Sequence, residues 1–225
     1  MQRRIVDLTY PIHEGMTTFP AHWHPFVELS ILGRLGIEAR ETRKIVIGTH
    51  TGTHCDAPRH FIESGCTIDQ VPLETLVGPA VLLDLSETKP FEAVSSAVLA
   101  SRLGDRRPER LVLRFDWSSR WGSLAYYTDH PFLAEEAATW LVARGVKLLG
   151  MDTPMPDDPK NGRGTANDSP NHKILLGSGV ILVEYLNNLA GISAESFELV
   201  VLPLKILDGD GAPARCIAIE NDESA

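Results

Sequence analysis

Between residues 77 and 151 the chain alternates short apolar runs with amphipathic ones, and this pattern restricts its folding more than any other feature. Residues 77–85, 110–115 and 146–151 are apolar runs of strand length. Residues 93–103 have helical spacing that stops at Gly104. Residues 132–144 place Leu133, Ala137, Trp140 and Leu141 on one stripe, with Gly145 after its end. The order β-α-β-α-β implies parallel strands joined by right-handed crossovers, with helices packed on the sheet. The flanks are strand-rich: residues 5–8 and 38–47 before this stretch, residues 180–183, 198–202 and 215–219 after it. The expected fold is α/β with a mixed sheet, in a single domain over residues 1–225. That length is ample for one sizeable core.

Composition narrows the function classes. The net charge is −9 and there is no long Lys/Arg run, so a nucleic-acid partner has no electrostatic footing. No apolar run approaches the roughly 20 residues of a membrane-spanning helix. Asp7 interrupts any signal-like stretch behind Arg3 and Arg4. Cys55, Cys66 and Cys216 form neither a disulfide framework nor a CxxC pair, and the expected compartment is the cytoplasm. Gly162-Arg163-Gly164 is too short for a phosphate loop, and Ser178 lacks a nucleophile-elbow context.

The chemistry concentrates in His50-Thr51-Gly52-Thr53-His54-Cys55-Asp56-Ala57-Pro58-Arg59-His60. If residues 45–56 are extended, His50, Gly52, His54 and Asp56 share one face, with room for an ion at the glycine. Histidine nitrogen and carboxylate oxygen suit zinc or manganese, and three protein ligands leave a position for water. His60 continues the parity beyond Pro58. It could be a fourth ligand, an acid/base group beside the metal, or a packed histidine next to Phe61. Titration near neutrality suits the protonation of a poor leaving group, so acid/base is the role assigned.

The pattern His50-x-Gly52-Thr53-His54-x-Asp56-x-Pro58-x-His60 resembles the signature of the metal-dependent cyclase superfamily, which contains kynurenine formamidases and isatin hydrolases. Ile5-Val6-Asp7-Leu8-Thr9, Gly150-Met151-Asp152-Thr153-Pro154, Leu202-Pro203-Leu204-Lys205 and Gly211-Ala212-Pro213-Ala214-Arg215 resemble other segments of that family. The resemblance implies a swivelling β/β/α fold and a homo-oligomer, commonly a dimer. It implies His50, His54 and Asp56 as ligands of a first ion and His60 near the scissile bond. It also implies Asp56 bridging to a second ion completed by a histidine and a glutamate twelve residues apart, a separation that His172 and Glu184 match. One or two ions per chain are therefore expected.

Departures from the pattern bear on the substrate. Near residue 20 the formamidases have a Trp-Pro-Gly-Asp-like stretch, whereas this chain has Phe19-Pro20-Ala21-His22-Trp23-His24-Pro25. Phe19, Trp23 and Phe61 are the candidate walls of a pocket for a flat small molecule. Trp117 and Trp121 fit core packing equally well, and His22 and His24 read as loop residues. Asp152-Thr153-Pro154 follows a strand end, as a site element or as an ordinary turn. The polar run at residues 157–162 reads as a loop that covers the site. The expected activity is metal-dependent hydrolysis of a C–N amide bond in an isatin-like cyclic amide, slightly preferred, or in an N-formyl aryl amine. A polyketide-type cyclase or dehydratase using the metal to stabilise an enolate is the alternative enzyme. A catalytically silent metal-binding protein is the alternative of another class.

Overall fold

The computed structural model describes residues 3–221. Its elements in chain order are β1 (Arg3–Asp7), β2 (Glu28–Gly33), α1 (Leu35–Glu38), β3 (Thr42–Val46), β4 (His54–Asp56), α2 (Leu73–Leu76), β5 (Val77–Asp84), β6 (Ala93–Val94) and α3 (Ser96–Leu103). They continue with β7 (Arg110–Arg114), α4 (Leu124–Thr128), β8 (Phe132–Leu133), α5 (Glu135–Ala143), β9 (Leu148–Met151), α6 (Pro170–Gly177), β10 (Ile181–Glu184), β11 (Ser196–Pro203) and β12 (Gly211–Asn221).

Strands β5, β7, β9 and β10 lie side by side and parallel, as the apolar alternation requires. Helices α3, α5 and α6 occupy the three connections. Antiparallel β11 and β12 extend the sheet from β5, and β1 pairs with β12. Short β4 then pairs antiparallel with both β10 and β12 and returns the sheet on itself as a barrel-like ring.

Burial on both faces explains why the strand sequences are near-continuous in apolar residues. Val81, Leu83, Leu111, Leu113, Leu149, Met151 and Leu182 join Leu99, Ala137, Leu141 and Leu175 of the helices in one cluster. Ala80, Leu82, Val112, Leu148, Ile181 and Val183 join Leu199, Val201, Cys216 and Ala218 in a second, on the other face. Adjacent residues of one strand thus supply opposite cores, the period-2 rule of an extended chain.

Local structure departs from the sequence expectation in three places. Residues 132–144 and 93–103 are not helical from their first residue. Phe132–Leu133 and Ala93–Val94 pair as a short parallel ladder, so their amides are committed before α5 and α3 begin. Ser95 then caps α3 by accepting the Val98 N–H at 3.4 Å. Of residues 38–47, only Thr42–Val46 is strand, because Leu35–Glu38 turns as a helix ahead of it. Residues 45–56 are not continuously extended either. Strand β3 stops at Val46, Thr51 Oγ1 accepts the Gly48 N–H at 3.0 Å, and Gly52 turns the chain with φ +60°. The shared-face parity therefore holds for His54 and Asp56 but not for His50, which the turn delivers.

Candidate functional site

The site lies where β4 closes the ring. In the β10–β4 ladder Glu184 faces His54 and Leu182 faces Asp56. In the β12–β4 ladder Gly211 faces Asp56. His54 and Asp56 project to one side of β4, while Cys55 between them is buried in the core behind. The chain after β9 loops outward and returns as α6, which carries His172 to the same point. His172 is thus a buried helical residue rather than a loop residue. The turn before β4 lays His50 against Asp56, with Nδ1 2.7 Å from Oδ1. Gly211 lets that ring in, because a Cβ there would lie 2.9 Å from His50 Cε1 and 2.6 Å from the Cys55 carbonyl.

Four electron-rich ends converge. His54 Nε2 lies 3.2 Å from Asp56 Oδ1 and 3.5 Å from Glu184 Oε2. His172 Nε2 lies 3.5 Å from Asp56 Oδ2 and 3.2 Å from Glu184 Oε1. Each ring spends its Nδ1 elsewhere. His54 Nδ1–H donates to the Gly52 carbonyl at 2.8 Å, and His172 Nδ1–H donates to Asp157 Oδ2 at 2.5 Å. In their neutral form the rings turn bare Nε2 lone pairs towards two carboxylates. Asp56 Oδ2 and Glu184 Oε1 are buried and accept no hydrogen bond from the described residues. Acceptors facing acceptors in a buried place are repulsive without a cation, so this donor set fits a divalent ion. Two sets could each hold one: His54, Asp56 and Glu184, with His172 beside them, and His50, Asp56 and His60. Asp56 is common to both.

Without an ion, protons must balance these charges. Burial opposes charge on His50, but Asp56 and the bond to Asp210 outweigh it and raise the ring's pKa to about 10. Burial likewise opposes charge on His172, yet Asp157, Asp56 and Glu184 push it well above the usual histidine range. Burial, with the Asp56 charge beside it, raises Glu184. Burial also disfavours the Asp56 anion, but His50 and His54 hold that carboxyl well below its ordinary value. Burial chiefly lowers His60 and takes His24, with His50 facing it, down to about 4.

His60 stands beside this centre, its ring 3.9 Å from that of His50 and 4.6 Å from Phe61. Its Nδ1 lies 3.3 Å from Asp210 Oδ2, the oxygen that His50 Nε2 also meets at 2.7 Å. Phe19, Trp23 and Phe61 line the cavity of about 360 Å³ above the centre, with Tyr127, Met155 and Tyr185. Trp23 stands at its mouth, 57% exposed. The stretch 157–169 forms one wall, and Arg163 from it lies over the Phe19 ring at 4.5 Å and donates to the Pro20 carbonyl. Trp121 stacks on Tyr10 at 4.0 Å, and the buried Trp117 indole donates to the Tyr126 carbonyl, so both serve packing. Asp152 accepts the Phe115 and Trp117 amides and is structural.

Sequence reasoning missed three residues here. Asp210 directly precedes the Gly211–Arg215 segment singled out above, and that adjacency was its one signal. Asp157 opens the polar run assigned only to a covering loop. His24, taken as a loop residue, lines the cavity with its ring 6.1 Å from His50.

A ring-closed mixed sheet with a histidine and carboxylate centre under an aromatic cavity defines a metal-binding α/β protein of enzyme type. A family model described as "Putative cyclase" matches residues 6–158, and the chain belongs to that family. A kynurenine formamidase of Bacillus cytotoxicus is 30% identical over 217 residues, covering 94% of this chain and 95% of that protein. Isatin hydrolase A from Labrenzia aggregata superposes with TM-score 0.85 at 29% identity, covering 98% of this chain and 94% of that one. An isatin hydrolase bound to the product analogue thioisatinate superposes with TM-score 0.87 at 23% identity, covering 98% and 93%, and shows the shared fold. The cyclase-type α/β fold expected from the sequence is thereby borne out.

Proposed function

We propose that this protein is a metal-dependent hydrolase of carbon–nitrogen bonds other than peptide bonds, acting on an isatin-like aryl cyclic amide or an N-formyl aryl amine. The observation that carries the reading is the convergence of His54 Nε2, His172 Nε2, Asp56 and Glu184, without a donor, on the floor of an aromatic-walled cavity. The relatives named for formamidase and isatin hydrolase activity support the reaction class. His50, His54, Asp56, His172 and Glu184 would hold one or two ions of zinc or manganese. A divalent ion there supplies Lewis acidity to a carbonyl and lowers the pKa of water towards neutrality.

The chain's own residues do the rest. Phe19, Trp23 and Phe61 clasp a flat ring and exclude water from around the amide. His60, kept neutral by burial and held through Nδ1 by Asp210, takes a proton from the attacking water. It then returns the proton to the departing nitrogen, so the amide bond breaks to a carboxylic acid and an amine. Arg163 ties the Phe19 loop to the 157–169 stretch across the mouth.

The reading extends to a single catalytic domain working as a homodimer or higher homo-oligomer in the cytoplasm. Hairpin β2–β3 supports the oligomer. Leu29, Ile31 and Ile45 lie together on one of its faces, and Ile31 and Ile45 are more than half exposed. An isolated two-stranded ribbon is marginal in water and gains stability from a partner surface. Three free cysteines suit a reducing compartment. No helix among the described residues is long and apolar enough to cross a membrane.

The test is metal content of protein purified without chelator, combined with assays on isatin and N-formylkynurenine. About two ions per chain and turnover of either compound supports the dinuclear hydrolase. Absence of metal, with no activity on adding zinc or manganese, overturns it.

A further inference from the structure

Asp157 is buried on the stretch between β9 and α6, and its two oxygens address one helical turn. Oδ1 accepts the Asn171 N–H at 2.6 Å. Oδ2 accepts the His172 N–H at 3.3 Å and the His172 ring Nδ1–H at 2.5 Å. The seat is held from the other side as well, because the Asn171 amide donates to the Leu133 and Pro156 carbonyls at 2.7 and 2.9 Å. A carboxylate only accepts, so the nitrogen facing it must carry the ring proton. In the neutral ring the other nitrogen, Nε2, is then a bare lone pair aimed at Glu184 and Asp56.

From this geometry we infer that Asp157 is the positioning residue of the metal centre. It fixes the tautomer and ring plane of His172, so that Nε2 is presented to the ion shared with Asp56 and Glu184. The inference rests on the reading of His172 as a ligand. A carboxylate behind a ligating imidazole also makes the ring a stronger electron donor. Nothing in the sequence pattern marks this residue, whose partner lies fifteen positions away.

The substitution Asp157→Asn separates this role from simple helix capping. Asparagine caps a helix about as well as aspartate and has nearly the same shape. With its oxygen on the Asn171 N–H, its amide group faces His172 Nδ1 as a donor. The ring proton must then move to Nε2, where it blocks the ion. The measurement is the affinity of the full-length protein for zinc and for manganese, by competition with a chelating dye. It is made for wild type, D157N, H172A and the double variant D157N/H172A, alongside thermal unfolding of each in excess chelator.

The expected result is that D157N weakens binding of the affected ion by about 10–100-fold. Metal-free unfolding should be lowered only by loss of the 3.3 Å bond from the His172 N–H, to the same extent in both backgrounds. In the H172A background D157N should cause no further loss of affinity, because its effect passes through the ring. An equal loss of affinity in both backgrounds, or none in either, overturns the proposal and leaves the hydrolase reading standing. If H172A binds both metals as wild type does, His172 is not a ligand and the proposal falls together with the second ion. Should D157N not fold by far-UV circular dichroism, Asp157→Ser replaces it, keeping a hydroxyl acceptor for the helix start without the charge.

Discussion

Glu184 stands directly opposite His54 across the antiparallel β10–β4 ladder, with its Oε2 3.5 Å from the imidazole Nε2. The pairing register fixes this relationship. Side chains directly opposite in a ladder point to the same face, so a histidine in the first quarter of the chain meets a glutamate from the last quarter. A slip of one residue would put the two on opposite faces of the sheet.

Glu184→Gln keeps the shape and removes one of two buried carboxylate charges. Metal affinity, read by chelator competition, should fall by more than about 100-fold, exceeding the loss of about 10–100-fold expected for a supporting group. Unchanged affinity would remove Glu184 from the ligand set.

His60→Ala tests the proton-transfer role. Bound metal should stay at the wild-type stoichiometry while kcat on the better substrate falls by about 10²–10⁴. Loss of metal in this variant would instead make His60 a ligand, as its grouping with His50 and Asp56 allows.

His130 gives a pH signature away from the metal centre. It is fully buried, its Nδ1–H donates to the Pro131 carbonyl, and its Nε2 has no partner among the described residues. Burial takes its pKa down to about 4 from the ordinary 6.5. The unfolded chain therefore binds the proton more readily between those values. Stability is unaffected by this group above pH 6.5 and falls as pH drops towards 4, by up to about 3 kcal/mol. Urea unfolding at pH 7 and pH 4.5 should show wild type losing more stability on acidification than His130→Gln. Equal losses would refute the assignment.

The exposed hairpin face makes a claim about assembly. Wild type should run as a dimer or larger in light scattering, and replacing Ile31 and Ile45 together by glutamate should shift it to monomer. Each lies on the face that also carries Leu29. A wild type already monomeric would exclude the hairpin as an oligomer arm.

The parallel spine was legible in the chain because strands buried on both faces need apolar residues at every position, which leaves a local mark at residues 77–85 and 146–151. The starts of α3 and α5 were not. Pairing of Ala93–Val94 with Phe132–Leu133 is a tertiary contact that overrides helical spacing.

The same division runs through the candidate site. His54 and Asp56 share a face by covalent alternation along β4, and the sequence by itself determined that, along with the donor types available within residues 50–60. Only the tertiary structure decided how His50 arrives, by a turn at a left-handed Gly52, and how Glu184 and His172 reach Asp56, through cross-strand register and the return of α6. It alone placed Asp157 behind His172 and Asp210 between His50 and His60. Spacing along a chain carries only what a few covalent bonds impose. Which distant carboxylate meets which imidazole depends on how the ring of strands closes, and packing of the two cores sets that closure.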